Sequence, residues 1–333
     1  MKVPVSLIID DPAPIISVYY EHAGTTVTND GRPLVPTYSN DLLKKFCDII
    51  ETRGIRGKYS VIPMPGNKGD IINGLEGVEK KDLDEWLEIV KTRVSPRFTI
   101  GPEMLTHHKA VDLETGNALP MNERDFAATQ SRKTLTPYIE KAVSLLNQAG
   151  FDAFGVTSPW DFGIEVEQDY QAAISEAVYN ATGKRNSWLF LRGLRNTPNA
   201  KPWIGHEEDG RTLICIPATT NDHIWQTIDT PETSEEYVQS VADEVITRDG
   251  KGGEAVRVLE TNGYPILITH WQSLMSNGLG TGLRILDEIA RRINEHLSDR
   301  VEWKSFEEIM NMVLCDKAAY TTPVLDPRDS GIL

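Results

Sequence analysis

A chain of 333 residues, 40% hydrophobic and 25% charged, is long enough to bury a sizeable core and has the composition of a globular protein, which excludes disordered and fibrous classes. Its formal net charge of −15 repels polyanions, and no basic stripe interleaved with aromatics overrides that field, so nucleic acid is not expected as a partner and a neutral or amine-bearing substrate fits better than a phosphorylated one. No apolar run approaches the roughly 20 residues of a membrane span, and with the first strand beginning almost at Met1 no secretory leader is expected in this sequence.

The first apolar run, Val3 to Ile9, ends in two adjacent carboxylates, Asp10 and Asp11, followed by Pro12 and Pro14. In an α/β protein the end of a buried strand opens onto the edge of the sheet where ligands bind. Asn40 to Arg53 follows with the periodicity of a helix and stops at Gly54, after which Lys58 to Ile62 reads as a strand. Asp82 to Arg93 is a second helix, leading to a short strand at Phe98 to Ile100. Thr136 and Pro137 form an N-cap and first-turn pair for a helix that Gly150 closes, and strand Phe151 to Val156 comes next. A helix over Glu167 to Thr182 precedes strands at Trp188 to Leu191 and Leu213 to Ile216. Helices at Glu235 to Ile246 and Glu254 to Glu260, a strand at Pro265 to Thr269 and a long helix over Leu283 to Leu297 complete the pattern.

Seven strands separated mainly by helices predict a parallel sheet covered by helices, with a closed or nearly closed barrel favoured over an open sheet. No repeat or linker divides the chain, so residues 1–333 are expected to form one domain, and the long connections at 112–133 and 196–210 are expected to build its rim. Cys47, Cys215 and Cys315 are odd in number and far apart in apolar-rich segments, which reads as core thiols in a reducing cytoplasm.

The residues just past each strand converge on one face. They are Asp10 and Asp11; Glu103, His107 and His108; Trp160 and Asp161; Asn221, Asp222, His223 and Trp225; and His270, Trp271 and Gln272. Four of the seven histidines fall at these strand ends, more than solvation alone explains. Asp, Glu and His are the ligand set of a catalytic Zn²⁺ or similar divalent ion, which acidifies water and polarises a carbonyl. Trp160, Trp225 and Trp271 are candidate walls for a sugar ring, and Asp161, Asp222 and His223 are candidate substrate contacts beside them. His22, close to the first strand end, is weighed as a lining residue but not placed among the ligands.

The succession Ile8-Ile9-Asp10-Asp11, Gly57-Lys58-Tyr59-Ser60-Val61-Ile62, a Thr-His element after strand three, Ser158-Pro159-Trp160 and Leu267-Ile268-Thr269-His270 resembles the polysaccharide deacetylase family. The resemblance runs from about residue 3 to residue 275. It implies a distorted (β/α)7 barrel and metal-dependent hydrolysis of N- or O-acetyl groups from a small carbohydrate, with Zn²⁺ the expected ion. It also implies that Asp10 is the general base, Asp11 a metal ligand and His270 the general acid. The family's two histidines four residues apart correspond here to Glu103 and His107, so the third ligand is either Glu103 or His108. The arginine that pairs with the base in the family corresponds to Thr157, which leaves Asp10 with a raised pKa unless Arg192 or another basic residue replaces that cation. Two alternatives stay open: a metal-independent glycosidase using carboxylates such as Asp10 and Asp161, and a barrel that binds a saccharide without turnover.

Overall fold

The computed structural model describes residues 2–329. Six of the expected strands fall within a few residues of where the pattern places them, β1 (Val3–Asp10), β2 (Gly57–Val61), β3 (Phe98–Pro102), β5 (Asn186–Phe190), β6 (Arg211–Cys215) and β7 (Ile266–His270), while β4 (Gly155–Thr157) pairs only at the end of the expected 151–156 segment. They form two parallel sheets. One has the order β7-β1-β2-β3; the other runs β6-β5-β4 and carries an antiparallel strand, Trp203–Glu208, on the outer edge of β6. Two backbone links join the sheets: Glu103 bridges Thr157 just past β3, and Thr219 N–H donates to Ile266 O at 3.0 Å between β6 and β7.

β1 reads as an almost unbroken apolar run because it is buried along its length at the centre of its sheet. β2 can lie close beside it because it starts with a glycine: a Cβ on Gly57 would fall 1.8 Å from Leu7 O. Helices α1 (Asn40–Arg53), α5 (Glu235–Val245) and α7 (Thr281–His296) lay apolar faces carrying Phe46, Ile50, Val241, Ile285 and Ile289 on the β1 sheet. Helices α3 (Arg132–Gln148), α4 (Glu167–Thr182) and α8 (Phe306–Cys315) cover β4 to β6 with Ile139, Val143, Ala173, Ile309 and Val313. Of the other helices, α2 (Lys80–Ile89) lies between β2 and β3, and α6 (Glu254–Glu260) follows α5 between β6 and β7.

Three expectations are corrected. α3 starts a turn before Thr136, because Ser131 and Thr134 satisfy each other's backbone in a capping box, and Pro137 lies inside the helix. The rim segments are not plain loops: 112–133 contains the turn and second arm of a hairpin (Lys109–Val111 with Ala118–Asn122) and a short helix, Glu123–Ala127, while 196–210 contains the added edge strand. Cys47 and Cys215 are buried, but Cys315 is exposed at the last position of α8, where the amphipathic face has ended. Among the described residues, no helix is long and apolar enough to cross a membrane.

Candidate active site

β1 and β7 are neighbours in a register that sets Asp10 directly opposite His270. The expected base and the expected acid are thus adjacent because parallel pairing brings two strand ends together at the same level. Asp11, the first residue past β1, has φ +66°, a left-handed conformation that aspartate tolerates better than most residues. His107 (φ +49°) and Trp160 (φ +50°) share this unusual backbone. Strained residues gathered at one place mark a site whose surroundings hold them there.

These side chains line a cleft of about 470 Å³, within the size range of small-molecule sites. On its floor, Glu103 Oε2 accepts the Asp11 N–H at 2.7 Å, and Gln272 Nε2 donates to Asp11 Oδ2. His107 Nε2 lies 2.8 Å from Asp11 Oδ1 and 3.5 Å from Glu103 Oε1. Even so, Asp11 Oδ1 receives no aligned hydrogen bond, and neither does the buried His22 Nε2. The ring of His22 stacks on His107 with centroids 4.7 Å apart, and Trp160 closes over both at 5.2 and 4.4 Å. His22 arrives there on a short helix, Val18–His22, capped by Ser17, and the three-residue spacing puts Tyr19 on the same face.

Ligand atoms of Asp11, His22 and His107 all lie within 4.8 Å of one another. Three buried side-chain atoms of that set, Asp11 Oδ1, His22 Nε2 and His107 Nδ1, lack an aligned hydrogen bond, and they are of the donor types that zinc prefers, which fits a divalent ion. Burial, then the neighbouring His107, pushes the His22 pKa down to about 3, so its imidazole is neutral and ready to ligate. Burial opposes charge on both members of the Asp11–His107 pair, yet their mutual attraction outweighs it, holding Asp11 well below and His107 well above their ordinary values. Burial, with Asp10 and Asp11 alongside, raises Glu103 to about 7.

Asp10 is reached from the other side. Lys58 on β2 is completely buried and ion-pairs with Asp10 Oδ1; its ammonium also donates to Ser60 Oγ and, at 2.7 Å, to Thr157 Oγ1. Thus a lysine from the next strand, not Arg192, is the cation of Asp10; Arg192 pairs with Glu167. His270 Nδ1 is 2.8 Å from Asp222 Oδ2, and Asp222 is itself oriented by the backbone N–H groups of Ile224 and Trp225. Burial works against protonation of His270, but the Asp222 hydrogen bond and the charge of Asp11 more than offset it and raise the pKa to about 9. Trp225 packs edge-on against the His270 ring, with Tyr19 beyond it.

Of the residues expected at the site, the cleft gathers Asp10, Asp11, Glu103, His107, Trp160, Asp161, Asp222, Trp225 and His270. Three are placed elsewhere. His108 turns away from its neighbour and binds Asn67 Oδ1 through Nδ1 at 2.9 Å, because the left-handed turn at His107 sends consecutive side chains in different directions. His223 faces Glu254, 2.8 Å away, at a separate surface hollow. Trp271 is buried against Phe46 and Tyr59, since the step after His270 reverses the side-chain direction into the core beneath α1. Glu103 lies beside the ligand set, its Oε2 accepting the Asp11 N–H and its Oε1 3.5 Å from His107 Nε2, but the three residues whose ligand atoms cluster are Asp11, His22 and His107. From sequence, Lys58 has a place in a strand but no assigned partner, although a lysine buried in a parallel strand must find an anion.

No protein-family model and no curated protein matches the chain in sequence. Its fold matches a candidate polysaccharide deacetylase from Mycobacterium smegmatis at 13% identity and a TM-score of 0.51, covering 86% of this chain and 80% of that one. A candidate glycoside hydrolase/deacetylase from Parabacteroides distasonis (10% identity, 96% and 72% covered, TM-score 0.49) and a mutant of a CE4-family pseudoenzyme (11%, 93% and 67%, TM-score 0.41) are more distant in shape. The resemblance read from the motifs is borne out at the level of the fold.

Proposed function

We propose that this chain is a divalent-metal hydrolase, with Zn²⁺ the expected ion, that removes N- or O-linked acetyl groups from a small carbohydrate or related amide. Residues 1–333 act as one distorted (β/α)7 barrel in this reading, supported by the two backbone links between the sheets. Asp11, His22 and His107 would hold the ion, which when bound supplies polarisation of the substrate carbonyl and a more acidic water. Asp10, held through Oδ1 by Lys58, takes the proton of the attacking water. Protonated His270, oriented by Asp222, donates a proton to the departing amine or alkoxide. Trp160, Trp225 and Tyr19 exclude water and offer ring faces to the sugar.

The observation that carries this reading is the Asp10–His270 register pair, a lysine-bound carboxylate opposite an aspartate-bound imidazole, beside a largely buried Asp-His-His set. Acetate release from N-acetylglucosamine oligomers and from O-acetylated sugars in the presence of Zn²⁺ is the direct test. Release that disappears in Asp10→Asn supports the reading; a Zn²⁺-loaded protein that frees no acetate from any of them overturns it. The ligand set has its own test. His22→Ala is expected to weaken Zn²⁺ binding by more than about 100-fold, beyond the 10–100-fold that loss of an outer partner costs. His108→Ala is expected to bind Zn²⁺ as the parent does, and calorimetric titration of both variants reads the difference.

A further inference from the structure

One buried carboxylate near the cleft belongs to none of these roles. Glu123 opens the short helix that follows the rim hairpin, and it is fully buried. Its Oε1 accepts the N–H groups of Leu105 at 3.1 Å and Thr106 at 3.0 Å together with the hydroxyl of Tyr138 at 2.7 Å. Oε2 accepts the His107 N–H at 2.8 Å. Three consecutive backbone N–H groups therefore converge on one side chain, the kind of nest that elsewhere binds a free anion. The chain at this nest is in an uncommon conformation, with Met104 and His107 both at positive φ. Neither helix nor strand hydrogen bonding serves the N–H groups of 105–107, so Glu123 is what fixes the path of this turn.

We infer that Glu123 is the positioning residue of His107: it pins the 105–107 turn so that the His107 ring reaches Asp11 and stacks on His22. The inference rests on the metal-site reading above. The rim hairpin and helix thereby become part of the metal site, since they deliver a carboxylate that holds His107 through its backbone N–H and leaves the ring free. Loss of the carboxylate leaves three buried N–H groups and the Tyr138 hydroxyl facing an amide that cannot accept them all. The turn then relaxes, and the ring nitrogen no longer meets Asp11 and His22 together.

The test is the Zn²⁺ affinity of Glu123→Gln, by calorimetry at a temperature where the metal-free variant is folded, with the visible spectrum of the Co²⁺ form as a second readout. Affinity is expected to fall about 10- to 100-fold, the range for partners that orient metal ligands, and the Co²⁺ bands are expected to shift. Tyr138→Phe, which removes one donor but keeps the carboxylate, is expected to stay within about threefold of the parent, since it breaks no contact to the turn. A folded Glu123→Gln that binds Zn²⁺ as tightly as the parent overturns the inference, and so does a Tyr138→Phe that loses as much as Glu123→Gln. Should Glu123→Gln not fold, Glu123→Asp, which draws the carboxylate back by one methylene, is read by the same criteria. A parent protein that binds no Zn²⁺ counts against the metal reading instead. Glu123 is then judged by hydrogen exchange: faster exchange at the amides of 105–107 in the variant supports the pinning, and unchanged exchange rejects it.

Discussion

Replacing His270 with glutamine is expected to lower kcat by about 100- to 10,000-fold at neutral pH, the usual worth of a positioned general acid, while Zn²⁺ binding is retained. The pH profile supplies the sign. His270 acts in its protonated form, and its pKa is raised from 6.5 to about 9, so activity is full below the folded pKa and is lost as pH rises through it. Asp222 and Asp11 are the main sources of that rise. A cation on Asp11 cancels part of it, which places the alkaline limb of kcat between 6.5 and about 9. Asp222→Asn removes the hydrogen-bonding carboxylate at 2.8 Å and is expected to move the limb toward 6.5. A limb that stays in place in Asp222→Asn would show that another group donates the proton.

Lys58→Met is expected to be the most damaging single change outside the cleft surface. It deletes an ammonium with no solvent exposure and strands Asp10, 4% exposed, without its counter-ion. Breaking a buried pair from one side costs about 3–5 kcal/mol, and the hydroxyls of Ser60 and Thr157 lose a partner as well. Urea unfolding of Lys58→Met, Asp10→Asn and the double variant reads the coupling. The double variant is expected to be more stable than Lys58→Met alone, because removing the stranded charge restores balance. Equal instability of the two would mean that Lys58 acts through packing, for instance on the Phe190 ring 4.8 Å from its Nζ, and not through Asp10.

Much of this site is legible in the sequence because strand ends announce themselves. Asp10, Asp11 and His270 close apolar runs, and parallel pairing leaves few ways to arrange them other than side by side. What the sequence concealed depends on turns. Whether His107 or His108 points inward is decided by a left-handed residue in the 104–107 turn and by a glutamate sixteen residues later. His22 reaches the site through a single turn of helix too short to show periodicity, and the Trp271 side chain is sent to the core by the same alternation that sends His270 to the cleft. Lys58 takes the place of the cation missing at Thr157 from a strand that is not adjacent in sequence, and only the fold brings the two within 2.7 Å. By contrast, α8 has no counterpart among the expected elements although its S-x-x-E signature at Ser305 to Glu308 was open to reading.

The most direct test of the metal centre is elemental analysis of the purified protein beside an Asp11→Ala variant handled identically. About one equivalent of Zn²⁺ or another divalent transition metal per chain, absent from the variant, is the expected result. No metal in the parent after incubation with excess Zn²⁺, or equal occupancy in the variant, would contradict a centre built on Asp11, His22 and His107.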